Sequence, residues 1–96
     1  MQPVAVYIQA DTFFFQFYRW GIIDGEECGQ NANFGVTVVG YGKSSDGRDY
    51  FLIKNTWGPT WGEKGFAKIA RNDNIPGGVC GIAKKTYFPT TEPSAN

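Results

Sequence analysis

Apolar and polar positions along the chain fall into short blocks. Pro3-Val-Ala-Val-Tyr-Ile8 is apolar and rich in β-branched residues, which predicts a buried strand. Asp11-Thr12 offers an N-cap before Phe13-Phe-Phe-Gln-Phe-Tyr-Arg-Trp20, so a short helix is expected there, ended by Gly21. Ile22-Ile23 reads as a short extended piece, and residues 24–33 as a polar, Gly-bearing loop. Phe34 to Gly42 reads as a strand. Lys43-Ser-Ser-Asp-Gly-Arg48 carries an Asp-Gly turn, and Asp49 to Asn55 returns as the second strand of an antiparallel hairpin. Trp57 to Gly65 is a Gly-rich aromatic loop. Phe66-Ala-Lys-Ile-Ala-Arg71 alternates as a half-buried strand does. Asn72 to Gly78 is expected to be loop, Thr86 to Pro89 a last strand, and Thr90 to Asn96 a polar, frayed tail. The expected class is mainly β (α+β): an antiparallel, barrel-like sheet with one short helix, in a single domain spanning residues 1–96.

Composition narrows the functions open to this chain. A chain of 96 residues is one domain's worth, and a domain this small buries only about 60–65% of its unfolded surface. Nine Lys and Arg balance nine Asp and Glu. Without a basic excess, nucleic-acid binding through counterion release is not expected. No apolar run approaches the roughly 20 residues of a membrane span, and no basic start followed by an apolar stretch marks a signal peptide. Hydrophobic residues make up 42% and aromatics 17%, too many for a disordered segment. Histidine is absent. Within these residues there is therefore no imidazole to act as general base, metal ligand or partner of a nucleophile.

The remaining chemistry is sparse. Cys28 and Cys80 are too few for a zinc site and are not spaced as a redox pair. They are either two buried thiols or one disulfide. No metal or cofactor is expected. Glu26-Glu27 are adjacent and point apart on most backbones, so they do not suggest a glycosidase pair. No helix follows Gly40-Tyr-Gly42, so those glycines make no phosphate cradle. Asn55 either caps a strand end or orients another group through its amide. Trp57 and Trp61 are either core aromatics or a platform beside a cleft.

Val36-Thr-Val-Val-Gly-Tyr-Gly42, Asp49-Tyr-Phe-Leu-Ile-Lys-Asn-Thr-Trp-Gly58 and Trp61-Gly-Glu-Lys-Gly-Phe66 resemble the papain family of cysteine peptidases. Gln2-Pro-Val-Ala-Val6, Phe15-Gln-Phe-Tyr18 and Gly78-Val-Cys-Gly-Ile82 match it in the same order. The likeness runs over residues 2 to 89 and concerns the C-terminal, β-rich right-hand domain alone. The helical left-hand domain, with its nucleophilic cysteine and oxyanion glutamine, has no counterpart in these residues. The resemblance implies that Asn55 is the asparagine that holds the catalytic imidazole. It implies that Trp57 shields that bond and that Trp61 lines the primed side of the cleft. It pairs Cys28 with Cys80 in a structural disulfide. Such a bond would contribute roughly 4 kcal/mol by closing a loop of about 50 residues, and would place the chain in an oxidising compartment. The family's histidine falls at Phe34, in Asn33-Phe-Gly-Val36, and phenylalanine neither takes a proton nor pairs with a thiolate. Thr56 replaces the usual Ser, a mild change, and Tyr7, Phe13 and Phe14 are larger or less polar than many members carry.

Three functions follow as expectations. The first is a non-catalytic papain-like half, a pseudoenzyme or truncated product. The second is a binding or regulatory module that docks a left-hand domain, a propeptide or a cystatin-like inhibitor. The third is one part of a cysteine endopeptidase. Self-association is expected through a bared cleft face. By the resemblance, the setting is the secretory pathway, a lysosome or vacuole, or the outside of the cell.

Overall fold

The architecture comes from a computed structural model that describes residues 3–25, 27–71, 75–83 and 86–87. The strands are β1 (Val4–Ile8), β2 (Ile22–Ile23), β3 (Phe34–Lys43), β4 (Asp49–Lys54), β5 (Phe66–Ala70) and β6 (Thr86–Tyr87). Among the described residues a single α-helix, α1 (Phe13–Gln16), lies between β1 and β2, and a 3-10 turn occupies Val79–Gly81. The strands form one sheet in the order β2-β5-β4-β3-β1-β6. The fold is thus mainly β with one short helix, as the sequence predicts. The expected Phe88 and Pro89 of the last strand, the 90–96 tail, and residues 72–74 of the expected loop lie outside the described residues.

The β3–β4 hairpin is the backbone of the sheet. Its strands pair antiparallel from Thr37↔Lys54 to Lys43↔Asp49, with a register shift between Val38 and Gly40. Ahead of that bulge, Val36 and Val38 are buried, with Ile53 opposite Val38. Beyond it, the tilted rings of Tyr41 and Phe51 lie 5.7 Å apart nearer the surface. The turn closes through Ser44 N–H to Arg48 O at 2.8 Å and Gly47 N–H to Ser44 O at 2.9 Å. Gly47 has φ +90°, a backbone that glycine adopts without Cβ strain. The Ser44 hydroxyl, with help from Arg48, holds the Asp46 carboxyl below its ordinary pKa.

The core fills the inward face of this sheet. Val6, Ile8, Phe15, Ile23, Val36, Val38, Ile53, Ile69 and Val79 are all buried within it. Each fully buried Ile or Phe contributes about 1.5–3 kcal/mol relative to exposure. The alternation read from the sequence for β5 matches, with Ala67 and Ile69 pointing inward, whereas β1, expected as a buried strand, buries Val6 and Ile8 but leaves Ala5 exposed and Tyr7 half-buried.

Two elements differ from expectation. The helix ends at Gln16 rather than running on to Trp20. Its start agrees: the Thr12 hydroxyl accepts from Phe15 N–H at 3.2 Å. Its end is set by tertiary contacts. The Phe15 carbonyl is occupied by Tyr18 N–H at 3.2 Å and by the indole N–H of Trp61 at 3.1 Å, which takes the acceptor a continued helix would use. The second difference is that the sheet is not wholly antiparallel. β2 runs parallel to β5, with Ile22↔Lys68 and Ile23↔Ile69 in register. No helix among the described residues is long and apolar enough to cross a membrane.

Cys28 and Cys80 form a disulfide, which settles the alternative left open by the sequence. Around it the 79–81 turn meets the loop after Cys28. A Cβ on Gly81, which has φ +74°, would lie 2.9 Å from the Gln30 carbonyl oxygen. The close approach requires glycine at that position.

Candidate functional site

The site begins where β3 starts and β4 ends. Ile53 and Asn55 alternate with the exposed Lys54, so both point to the inward face. Extending the β3–β4 register places Phe34 and Val36 on that same face, level with the chain just after Lys54. Asn55 N–H donates to Gly65 O at 3.0 Å, which pins the two ends of the Trp57–Gly65 loop together. The loop then folds its tryptophans back over the sheet.

Five aromatic rings close the site. Phe34 lies 5.4 Å from Trp57, and Trp57 meets Phe15 edge-on at 5.7 Å and Trp61 edge-on at 5.6 Å. Phe15 lies 5.0 Å from Trp61, and Tyr18 lies 5.5 Å from the same ring. Such pairs contribute about 0.5–1.5 kcal/mol each beyond area burial. Trp61 is only 7% exposed, so it is a core aromatic, whereas Trp57 keeps 38% of its surface open to solvent. The sequence-predicted set of Phe34, Asn55, Trp57 and Trp61 therefore gathers in one place. Phe15 and Tyr18 belong to it too. Nothing in the aromatic run itself separates these two inward residues from the exposed Phe14 and Phe17, which share their i, i+3 spacing.

Asn55 is the only buried polar residue among the described ones, at 2% exposure. Its Oδ1 accepts from Thr56 N–H at 2.6 Å. Its Nδ2 is buried with no hydrogen-bond partner among the described residues. An unsatisfied buried amide donor costs about 1–3 kcal/mol. The side chain of Phe34, which packs on Trp57, carries no nitrogen or oxygen acceptor. No group of His, Cys, Asp and Glu among the described residues is arranged to hold a metal ion.

Beside the aromatic cluster lies a polar clamp that sequence reading missed. Tyr18 donates its hydroxyl proton toward Gly21 O at 2.7 Å and lies 3.3 Å from Glu63 Oε2. Gly21 N–H donates to the same carboxylate oxygen at 2.9 Å, and Lys68 Nζ stands 3.6 Å from Oε1. The clamp fastens the segment after α1 to β5 and the Trp loop. Burial pushes the Tyr18 hydroxyl up to about 12, and the Glu63 carboxylate adds to the rise, against a lowering by the Lys68 N–H. Unfolded tyrosine ionises near 10. The contribution of neutral Tyr18 is therefore complete below pH 10 and is lost as pH rises from 10 to about 12. Urea unfolding across that window should show a decline in stability that Tyr18→Phe removes. An identical decline in the variant would assign it elsewhere.

Comparison with known proteins fits this geometry. The model of the papain family of cysteine proteases matches residues 1–90. The cysteine protease XCP2 of Arabidopsis thaliana is 52% identical over 93% of this chain and 24% of its own length. The solved structure of bromelain protease from Ananas comosus, in complex with the E64 inhibitor, superposes with a TM-score of 0.85 at 42% identity. It covers 93% of this chain and 40% of that one. The ragweed pollen allergen Amb a 11 cysteine protease, in its proform, superposes with a TM-score of 0.84 at 44% identity, over 92% of this chain and 27% of that one. This chain spans about a quarter of the length of the curated relatives it matches.

Proposed function

Because the chain belongs to the papain family of cysteine proteases, we propose that it is a catalytically silent C-terminal half, folded as one domain. The observation that carries this reading is the buried Nδ2 of Asn55, which has no hydrogen-bond partner among the described residues, two positions before the Trp57 ring that packs on Phe34. By the family resemblance, Asn55 would hold an imidazole and Trp57 would shield it. An aromatic hydrocarbon ring stands there instead. It cannot accept a proton from a thiol, so general-base activation of a nucleophile, a contribution of typically 10²–10⁴-fold, is missing from this half. Both cysteines are consumed in the disulfide and supply no thiolate.

The chain should not turn over a fluorogenic dipeptide anywhere from about pH 4 to 8, the range in which acid–base groups of such a site would titrate. Turnover that follows the protein through repurification and is stopped by a thiol alkylator would overturn the reading. Phe34→His supplies the second arm. The new imidazole should titrate with a tautomer fixed by Asn55, read by NMR, and adding Asn55→Ala should change both the ring shifts and the titration. The single variant should remain without turnover, since no thiol faces the ring. Ring shifts indifferent to Asn55 would remove the role carried over to that residue.

A second reading is a docking module for a complementary left-hand domain, a propeptide or a cystatin-like inhibitor. The open face of Trp57 at the rim of the site favours it. Binding of a relative's left-hand domain without turnover would support it. The disulfide suits a vacuolar or extracellular setting, where such bonds persist.

A further inference from the structure

The most exposed apolar side chains do not lie at the Phe34–Asn55 site. Phe13, Phe17 and Trp20 are 78%, 73% and 80% exposed, and Phe14 stands partly out beside them. Phe13 and Phe17 hold their rings 6.1 Å apart, one turn from each other. Phe14, Phe17, Trp20 and Ile22 line a shallow groove that also carries Arg19, Asp24 and Glu27. The helix is too short, and too heavily aromatic on its outer side, for this surface to serve solubility. Contiguous apolar patches of this kind mark interaction surfaces.

The charges on the groove say what fits it. Asp24 is already tied to Arg48. Arg19 and Glu27 make no ion pair with any described residue. One groove thus presents a cation and an anion, neither ion-paired to another described residue, around exposed aromatic side chains. A uniformly basic or acidic partner would answer one charge and oppose the other. A second copy of the same groove answers both. In a two-fold contact, Arg19 of each copy meets Glu27 of the other while the aromatics stack between them. Trp and Arg are among the residues most enriched where binding energy concentrates. A net charge of zero adds no long-range repulsion between copies. We infer that the groove of Phe14, Phe17 and Trp20, with Arg19 and Glu27, is a two-fold contact surface between copies of this chain.

The test is sedimentation of the 96-residue chain from about 1 µM to 1 mM, the range over which a small interface dissociates. A concentration-dependent dimer is expected, loosening as salt screens the paired charges. Arg19→Glu and Glu27→Arg should each weaken the dimer by at least about tenfold, because each places like charges face to face. An equimolar mixture of the two variants should recover the affinity. In the mixed dimer the carboxylate introduced at position 19 of one copy faces the guanidinium introduced at position 27 of the other, while the native pair survives across the other half of the axis. Trp20→Ser should weaken the dimer without that rescue. Near-UV circular dichroism checks that the variants keep their aromatic packing. A monomer throughout the range overturns the inference. So does a dimer insensitive to salt, a dimer insensitive to either reversal, or a mixture no tighter than its components. Those last results would point to the Trp57 face or to a different protein.

Discussion

Replacing Phe15 with alanine should destabilise the fold by about 3–5 kcal/mol, the range for emptying a core site of an aromatic ring. Phe15 is fully buried, and its ring touches both Trp57 and Trp61. Its carbonyl also receives the Trp61 indole proton. Losing the ring opens a cavity beneath the only tryptophan that is buried and loosens the hydrogen bond that stops α1. A domain of this size has a total stability of about 5–15 kcal/mol, so the variant should be largely unfolded or molten on mild warming. Denaturant unfolding followed by tryptophan fluorescence measures the loss. A cost below about 1 kcal/mol would mean that the site collapses freely and that Phe15 is not the centre of the cluster. Trp57→Ala, with an already open ring, should cost clearly less.

Removing the disulfide by Cys28→Ala with Cys80→Ala should cost about 4 kcal/mol. The bond spans 52 positions, and the chain-entropy model gives about that value for a closed loop of this length. The double variant avoids stray thiols and leaves only two small cavities. Thiol titration in denaturant without reductant should find none in the native sequence. Urea midpoints of the two proteins give the energy. A variant as stable as the parent would show that the reduced chain already holds the 28–31 loop against the 79–81 turn, for instance through Gln30 Nε2–H to Gly78 O at 3.1 Å.

What the sequence made legible depended on how local the cause was. The β3–β4 hairpin and β5 were readable because alternation and an Asp-Gly turn are written within a few residues of each other. The start of α1 was readable for the same reason: Thr12 caps a backbone N–H three residues on. The end of α1 was not. It is decided by Trp61, which lies 46 positions away and takes the Phe15 carbonyl. The parallel pairing of β2 with β5 was likewise hidden. Two isoleucines carry no direction, and their register comes from the Tyr18–Glu63–Gly21 clamp and the packing of Ile23. At the candidate site, Phe34, Asn55, Trp57 and Trp61 were named from the resemblance, not from any periodicity. Composition alone offered only the absence of histidine. The exposed rings of Phe13, Phe17 and Trp20 were grouped in sequence with the buried Phe15 and Tyr18, and a run of identical chemistry conceals which members turn outward.

The sheet order also governs how quickly the chain reaches this structure. Only β3 and β4 are joined by a short turn. β1 must find β3 across the whole α1–β2 stretch, and β2 must find β5 across both hairpin strands. Loops that long lose entropy before any pairing repays them, so folding belongs to the slow, millisecond-to-second class of strand-rich topologies. The hairpin is the natural nucleus, and the parallel β2–β5 contact closes late. Until it does, the outer edge of β5 lies open next to a cluster of unburied aromatic rings. The interval of greatest aggregation risk is therefore the search of β2 for its place, and oxidation of Cys28 with Cys80 shortens that search by tethering the segment after β2 to the turn that follows β5.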